Sequence, residues 1–179
     1  RYQKWFQGLP LVGINTGCSP MIPYRKLAQA KVAAIIETIH RSGIGRVILL
    51  GGPTETEFNR TLSERTAAVQ SPTQSALRDG ITSMAACDVV FSGDSLGMHM
   101  AIALKKWVVA WFGPTCAHEV DLFDRGVHIH AQVTCSPCWK RNCENTPMCY
   151  DLVDIDQIVS AIQEGLGKGD GLASAGTGA

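Results

Sequence analysis

The chain has 179 residues, of which 45% are hydrophobic and 18% charged, and this composition excludes intrinsic disorder. Sixteen basic and sixteen acidic residues cancel, so overall charge gives no reason to expect binding to nucleic acid. No apolar run reaches the ~20 residues that a membrane-spanning helix needs, and no signal peptide is evident, which together predict a cytoplasmic protein.

Apolar runs alternate with helical patterns along the whole chain. In chain order, strands are expected at 11–15, 46–50, 67–70, 88–94, 107–115 and 127–133. Helices are expected at 25–40, 55–66, within 71–87, at 95–106, and after residue 154. Alternation with short links predicts βαβ units and right-handed crossovers. The fold class is therefore α/β, with a Rossmann-like, doubly wound parallel sheet.

The closing helix carries one apolar stripe, and Asp154 is placed to cap its N-terminus. We expect a single domain over residues 1–166, which includes a cysteine-rich loop at 135–149. Residues 167–179 are rich in Gly, Ala and Ser, and they are predicted to form a disordered tail.

Ligands of doubly wound sheets bind at the carboxyl ends of the strands. Four segments there carry small, turn-forming or polar residues: NTGCSP (15–20), GGPTETE (51–57), GDSLGMH (93–99) and FGPTCAHE (112–119). Small residues allow a backbone to approach a ligand closely. These four segments are therefore the candidates for a binding site.

GDSLGMH is the most informative of the four segments. Ser95 is a good N-cap, and the free N–H groups of Ser95, Leu96 and Gly97 would favour an anion at the helix end. Gly97 would let a phosphate come close, whereas Asp94 would repel it and would rather accept from a sugar hydroxyl or orient the loop. An ordinary strand-to-helix turn is the alternative, and His99 within the helix is expected to be packed.

Four of the seven cysteines follow the spacing C-x2-C-x4-C-x5-C, at Cys135, Cys138, Cys143 and Cys149. Two such pairs can close a tetrahedral thiolate site. We favour a metal over disulfides because nothing indicates an oxidising compartment. All-thiolate ligation fits structural zinc best, with iron as the second choice. The expected role is a clip for a long loop, or a subunit contact, rather than catalysis.

Residues 93–115, GDSLGMHMAIALKKWVVAWFGPT, resemble the signature of glycosyltransferase family 9, the ADP-heptose:lipopolysaccharide heptosyltransferases. The turns VGINTGCSP and LLGGPTETE also resemble that family, and the resemblance covers about residues 11–160. It implies a GT-B fold, in which two Rossmann-like domains enclose a cleft. This chain would be the C-terminal, donor-binding half. Some heptosyltransferases that modify bacterial surface proteins have a similar cysteine cluster that holds iron.

The resemblance implies a set of donor-binding residues: Thr16, Arg25, Lys26, Glu55, Asp94, Ser95, Leu96 and Gly97. The diphosphate would meet the 95–97 turn and Thr16, and the ribose would meet Glu55 or the nearby Glu57. The family's usual cation in the first loop is missing, because Met21 and Ile22 occupy its place. Arg25 or Lys26 would substitute.

The implied function is transfer of a heptose-like sugar from a nucleoside diphosphate, ADP-heptose in the first place, to a lipopolysaccharide or protein acceptor. A helix N-terminus would stabilise the leaving diphosphate, so no metal is required for transfer. The general base is expected in an N-terminal acceptor domain outside this chain; His118 and Glu119 are weaker candidates, and as solvated loop residues they would have no such role.

The implied partners are the nucleotide-sugar donor, the acceptor, the N-terminal domain and, in an oligomer, further copies of the chain. Nucleic acid is not an expected partner, and a peripheral position at the inner face of a bacterial inner membrane would suit a lipid acceptor. Two alternatives remain open: a non-catalytic nucleotide-sugar-binding module with a structural metal clip, and a GT-B nucleotide-sugar epimerase.

Overall fold

The computed structural model describes residues 8–173, and it describes side chains as far as residue 168. The strands are β1 (Leu11–Asn15), β2 (Arg46–Leu50), β3 (Val69–Gln70), β4 (Val89–Gly93), β5 (Trp107–Phe112) and β6 (Gly126–His130). The helices are α1 (Gln29–Arg41), α2 (Thr56–Arg65), α3 (Leu77–Ala85), α4 (Leu96–Ala103) and α5 (Ile155–Ala173). Short 3-10 turns lie at Pro23–Arg25, Pro53–Glu55, Ala117–Glu119 and Cys149–Leu152.

The six strands form one parallel sheet in the order β3-β2-β1-β4-β5-β6. The first three strands run outward from β1 in one direction, and the last three run outward from β4 in the other. The predicted doubly wound α/β fold is therefore confirmed. The point where the order reverses lies between β1 and β4, and ligands of such sheets bind at this point.

Helices cover both faces of the sheet, because the central strands are apolar on both sides. Helices α1, α2 and α5 pack on one face, against alternate strand residues such as Ile14, Phe91 and Trp111. Helices α3 and α4 pack on the other face, against residues such as Ile48 and Val90. Trp107 and Trp111 are both buried in the first of these layers.

Several elements are shorter than the sequence predicts. Helix α1 begins at Gln29 rather than near residue 25, because Pro23 starts a separate 3-10 turn. Strand β5 ends at Phe112, before Gly113 and Pro114, since proline has no N–H to donate to a ladder. Within the described residues, no helix has the length and apolarity that crossing a membrane would require.

Helix α5 has the N-cap that the sequence predicts, but it extends beyond its predicted end. The Asp154 carboxylate accepts from the N–H groups of Asp156 and Gln157 at 2.9 and 3.1 Å, which confirms the predicted N-cap. The helix continues to Ala173, so residues 167–173 are helical where the sequence predicts a disordered tail. Lys168 pairs with Glu164 of the same helix at 2.6 Å, and it also lies over the Trp107 ring, which gives this turn a tertiary contact. Residues 174–179 lie outside the described residues.

Candidate functional site

A cleft of about 540 Å³ opens at the carboxyl edge of the sheet, over the reversal point between β1 and β4. Its lining comes from the segments that follow four neighbouring strands, β1, β2, β3 and β4. The predicted site residues Arg25, Glu55, Asp94, Ser95, Leu96 and Gly97 all belong to this lining. The structure thus brings together most of the residues proposed for the donor.

Asn15 joins the two central strands beneath the cleft. Its amide nitrogen lies 2.9 Å from the hydroxyl oxygens of both Ser92 and Ser95, and 3.1 Å from the carbonyl oxygen of Gly17. These bonds fix the end of β1 to the turn that starts α4. Asn15 was not among the predicted site residues, although it opens the NTGCSP segment at a strand end.

The turn from β4 to α4 has the geometry of an anion site. The Ser95 hydroxyl accepts from the Met98 N–H at 3.4 Å, which confirms the predicted N-cap. The first N–H groups of the helix have no intrahelical partner, and the helix dipole favours negative charge there. A Cβ at Gly97 would lie 2.6 Å from Asn15, so this glycine is required first by internal packing rather than by a phosphate.

Arg25 supplies a cation to the same cleft. One of its terminal nitrogens lies 3.5 Å from the Asp94 carboxylate and 3.5 Å from the Asp94 carbonyl oxygen. Its Nε is buried, and within the described residues this atom has no hydrogen-bond partner. A guanidinium has five N–H donors, so this loose ion pair leaves several free for a ligand. Among the described residues that line the cleft, Arg25 is the only Lys or Arg.

The other candidate charges divide between the cleft and the surface. Glu55 is buried at the cleft wall, where its carboxylate accepts from the Gly52 N–H at 3.0 Å. Lys26 lies 4.0 Å from Glu55 and over the Phe58 ring, outside the residues that line the cleft. Glu57 is exposed on α2 and pairs with Arg60. The structure therefore favours Arg25 over Lys26 as the cation of the cleft, and Glu55 over Glu57 as its carboxylate.

Two predicted residues, Thr16 and His99, lie differently from what the sequence indicates, whereas His118 and Glu119 match their alternative as solvated loop residues. Thr16 is buried, and its hydroxyl lies 2.6 Å from the Asn59 amide oxygen, so its side chain serves the core rather than the cleft. His118 and Glu119 form an exposed 3-10 turn beside β6, outside the cleft lining. His99, expected to be packed, is exposed and lines the cleft, because it lies on the first turn of α4.

The segment after β3 forms a cleft wall that sequence reasoning missed. Ser71, Thr73, Ser75 and Leu77 all line the cleft, and the Thr73 and Thr56 hydroxyl oxygens are 2.7 Å apart. The strand before them has only two residues, so its apolar signal was weak. The cluster SPTQS, placed after a strand in a doubly wound pattern, was the signal that could have located this wall.

The four clustered cysteines line one cavity of about 70 Å³, together with Tyr24, Gly113 and Met148 among others. All seven cysteines of the chain are free thiols. Burial and the neighbouring thiols of this cluster raise the pKa of Cys149 to about 11. Within the described residues, no three His, Cys, Asp or Glu side chains are arranged to hold a metal ion. The thiols are gathered around one space without closing on a common point.

The cysteine loop is fixed to the turn that follows β5. The Ser136 hydroxyl donates to the Gly113 carbonyl at 2.6 Å, and the N–H groups of Cys138 and Trp139 donate to the Pro114 carbonyl at 3.0 and 2.8 Å. A Cβ at Gly113 would lie 2.9 Å from the Cys149 sulfur, so the loop packs directly on this glycine. The buried Cys87 is separate from the cluster and belongs to the core.

The sheet order, and a cleft at its reversal point, define a Rossmann-like α/β domain of the kind found in GT-B enzymes. The chain belongs to glycosyltransferase family 9 (heptosyltransferase), whose family model matches residues 8–149. The family resemblance of residues 93–115 is thereby confirmed. No curated protein sequence shows significant similarity to this chain.

Solved structures with the same fold cover nearly all of this chain. The Escherichia coli ADP-heptose lipopolysaccharide heptosyltransferase II is 19% identical with a TM-score of 0.75, over 92% of this chain and 48% of its own. The E. coli heptosyltransferase WaaC with ADP is 19% identical with a TM-score of 0.68, over 88% and 46%. TibC of enterotoxigenic E. coli, a dodecameric iron-containing heptosyltransferase in complex with ADP-D-beta-D-heptose, is 15% identical with a TM-score of 0.60, over 89% and 46%. The chain therefore spans about half the length of these proteins.

Proposed function

We propose that this chain is the C-terminal, donor-binding half of a heptosyltransferase that takes a heptose-like sugar from a nucleoside diphosphate, ADP-heptose in the first place. The acceptor is a lipopolysaccharide or a protein. One observation carries the proposal: Arg25 and the N-terminus of α4 face the same cleft, at the reversal point of a doubly wound sheet. Family membership supports the reaction class.

The chemistry of transfer explains why both groups are needed. When the bond between the sugar's anomeric carbon and the β-phosphate oxygen breaks, that oxygen keeps the electron pair and gains negative charge. The N–H groups of Leu96 and Gly97 and the Arg25 guanidinium are fixed donors that stabilise this charge without reorganisation. They act in place of a metal, so the proposed transfer needs none. The acceptor oxygen forms the new bond and loses its proton to a base in the other domain.

Two carboxylates orient the rest of the donor. Asp94 lies beside Arg25 at the N-terminal end of α4 and is proposed to accept from a sugar hydroxyl. Glu55 lines the cleft in the segment after β2 and is proposed to accept from the ribose. The hydroxyl-rich wall after β3 adds further polar contacts around the nucleoside.

The test of the donor site is calorimetric titration with ADP and, in parallel, with adenosine. Arg25→Ala is expected to weaken ADP binding about tenfold or more, because a hydrogen bond to a charged group is worth ~1.5–3 kcal/mol. Adenosine binding should change little, since adenosine lacks the diphosphate. Lys26→Ala is the matched control, because Lys26 is the neighbouring cation outside the cleft lining. Equal ADP affinity in wild type and Arg25→Ala, or no ADP binding by wild type, would reject the assignment.

The cysteine cluster is proposed to hold one structural metal ion, zinc in the first place and iron as the second choice. Four thiols around one small cavity are a suitable donor set. Burial, and after it the neighbouring thiols, raise the pKa of Cys149; a bound cation would favour the thiolate forms and would draw the sulfurs to a common point. The similar fold of TibC, which is iron-containing, supports the iron alternative. A role for this loop in contacts between subunits stays a prediction.

Elemental analysis of protein purified without added metal tests the metal proposal. We expect about one zinc or iron per chain, because four thiolates make one tetrahedral site. Cys143→Ser should lower the metal content and the melting temperature. Cys116→Ser is the matched control, since this half-buried thiol lies outside the cavity lining. Folded wild-type protein that contains no metal, with two disulfides by mass spectrometry, would contradict the proposal.

A further inference from the structure

One short turn connects the cysteine cavity with the cleft. The 3-10 turn Pro23–Arg25 places two consecutive side chains in different sites: Tyr24 lines the cysteine cavity, and Arg25 lines the cleft. Both side chains are half-buried. A displacement of this turn would therefore move a side chain in the cysteine cavity and a side chain in the cleft together.

Tyr24 is held from the cysteine side by an aromatic stack. Its ring lies 5.8 Å from the ring of Tyr150, with an angle of 10° between the two planes. Tyr150 directly follows Cys149 on the 3-10 turn Cys149–Leu152, and it packs against the core layer under α5. The stack therefore joins the first loop of the domain to the last turn of the cysteine loop.

The partner side of the stack is itself fixed to the sheet. The cysteine loop bonds to the Gly113 and Pro114 carbonyl oxygens at the end of β5, through Ser136 and the two residues that follow Pro137. Nearer to Tyr150, the Cys149 sulfur packs on Gly113, and Tyr150 itself packs against the core layer that includes Trp111 of β5. Pro23 is exposed, so within the 3-10 turn the side-chain contact on that side comes from Tyr24, next to the buried Ile22 that precedes the turn.

The cleft side of the turn has no room to relax inward. A Cβ on Gly93, the last residue of β4, would overlap the carbonyl oxygen of Arg25, so the turn already touches the strand end. The next residue of the chain is Asp94, which faces the Arg25 guanidinium at 3.5 Å. The turn that carries the guanidinium is thus supported by the end of β4 and by the aromatic stack, together with the buried Ile22 that precedes it.

We propose that Tyr24 and Tyr150 are positioning residues, through which the cysteine loop holds Arg25 against the donor's diphosphate. The inference rests on the proposed donor site and goes beyond it, because it gives the cysteine loop a part in donor affinity in addition to its structural role. Neither tyrosine is proposed to touch the donor. The stack uses the ring faces, so the hydroxyl groups are dispensable.

Titration with ADP and with adenosine also tests this inference. Tyr24→Ala and Tyr150→Ala are each expected to weaken ADP binding about tenfold and to leave adenosine binding within about twofold. Tyr24→Phe and Tyr150→Phe should restore the wild-type affinity for ADP, because they keep the ring faces. The double alanine variant should be little weaker than either single variant, since both remove one stack. Leu152→Ala is the matched control, an exposed residue on the same 3-10 turn as Tyr150.

Each outcome decides between the two proposals. If wild type binds ADP and both alanine variants bind it equally well, the positioning role is refuted while the donor site stands. If ADP and adenosine lose affinity in parallel, the variants damage the cleft as a whole, and the positioning role is again refuted. If wild type does not bind ADP, the donor site itself fails. Thermal melting of each variant identifies any that is unfolded. If an alanine variant is unfolded, the Phe variants test the positioning role instead. Weakened ADP binding by a folded Tyr24→Phe would refute a role based on the ring face.

Discussion

Single residues in the cleft serve the fold as well as the proposed donor site. Gly97 was predicted for its place in an anion-binding turn, yet its missing side chain makes room for Asn15. Asn15 in turn bonds to Ser92 and Ser95 and so fixes the turn itself. A substitution at this glycine therefore changes the framework of the cleft before it changes contact with a ligand.

We expect Gly97→Ala to destabilise the protein by about 1–3 kcal/mol, because the new Cβ would lie 2.6 Å from the Asn15 side chain in a tightly packed turn. Urea unfolding measures the effect. Gly80→Ala on α3 is the matched control, since a Cβ there meets nothing within 4 Å. That variant should gain about 0.5–1 kcal/mol, as an alanine does in a helix. A Gly97→Ala protein as stable as wild type would show that Asn15 moves aside without cost.

At the scale of the elements, strong apolar periodicity was enough to locate the central strands and most helices. RVILL and WVVAWF are buried throughout or nearly so, and short apolar runs in an alternating pattern are typical of strands covered on both faces. The ends of elements were less predictable, because they depend on tertiary contacts. Helix α5 extends past Leu166 through glycines that disfavour helix, supported by the contact of Lys168 with Trp107.

The candidate site was predictable only where it coincides with a motif. The 94–97 turn was predicted from its strand-to-helix context. Arg25 was predicted because it lies close to the position where the family usually has a cation and this chain has none. The wall after β3 and the role of Asn15 were not, because they result from the lateral order of strands that are distant in sequence. The choice between Arg25 and Lys26 likewise needed side-chain directions, which the sequence does not contain.

At the scale of the whole molecule, this chain spans about half the length of the structures with which it shares its fold. The described part contains the cleft with the groups proposed to bind the donor, but the candidate bases His118 and Glu119 lie beside β6 rather than in that cleft. A domain of this kind can stabilise a leaving diphosphate and still lack the means to activate an acceptor hydroxyl.

We therefore predict that the 179-residue chain binds the donor but does not transfer the sugar alone. A positioned base is typically worth ~10²–10⁴ in rate, and loss of acceptor positioning costs more. The measurement is transfer from labelled ADP-heptose to a lipid A–Kdo acceptor, first with this chain and then with the full-length protein.

Full transfer activity from the chain alone would contradict the two-domain proposal and direct attention to His99, the histidine that lines the cleft. Donor binding without transfer by the full-length protein would favour the non-catalytic module instead. Inversion of the donor sugar without an acceptor would favour the epimerase.

The cleft draws its described lining from four strand ends of a single sheet, and this has an evolutionary consequence. The described cleft lining falls within residues 15–100, and in the proposed two-domain enzyme the surface that selects the acceptor belongs to the other domain. Mutations that retarget the acceptor need not alter the 94–97 turn, Arg25 or the β3 wall. We expect relatives of this chain to share a donor while they diverge widely in what they modify. This pattern would follow if the acceptor domain is exchanged while the donor-binding domain stays constant.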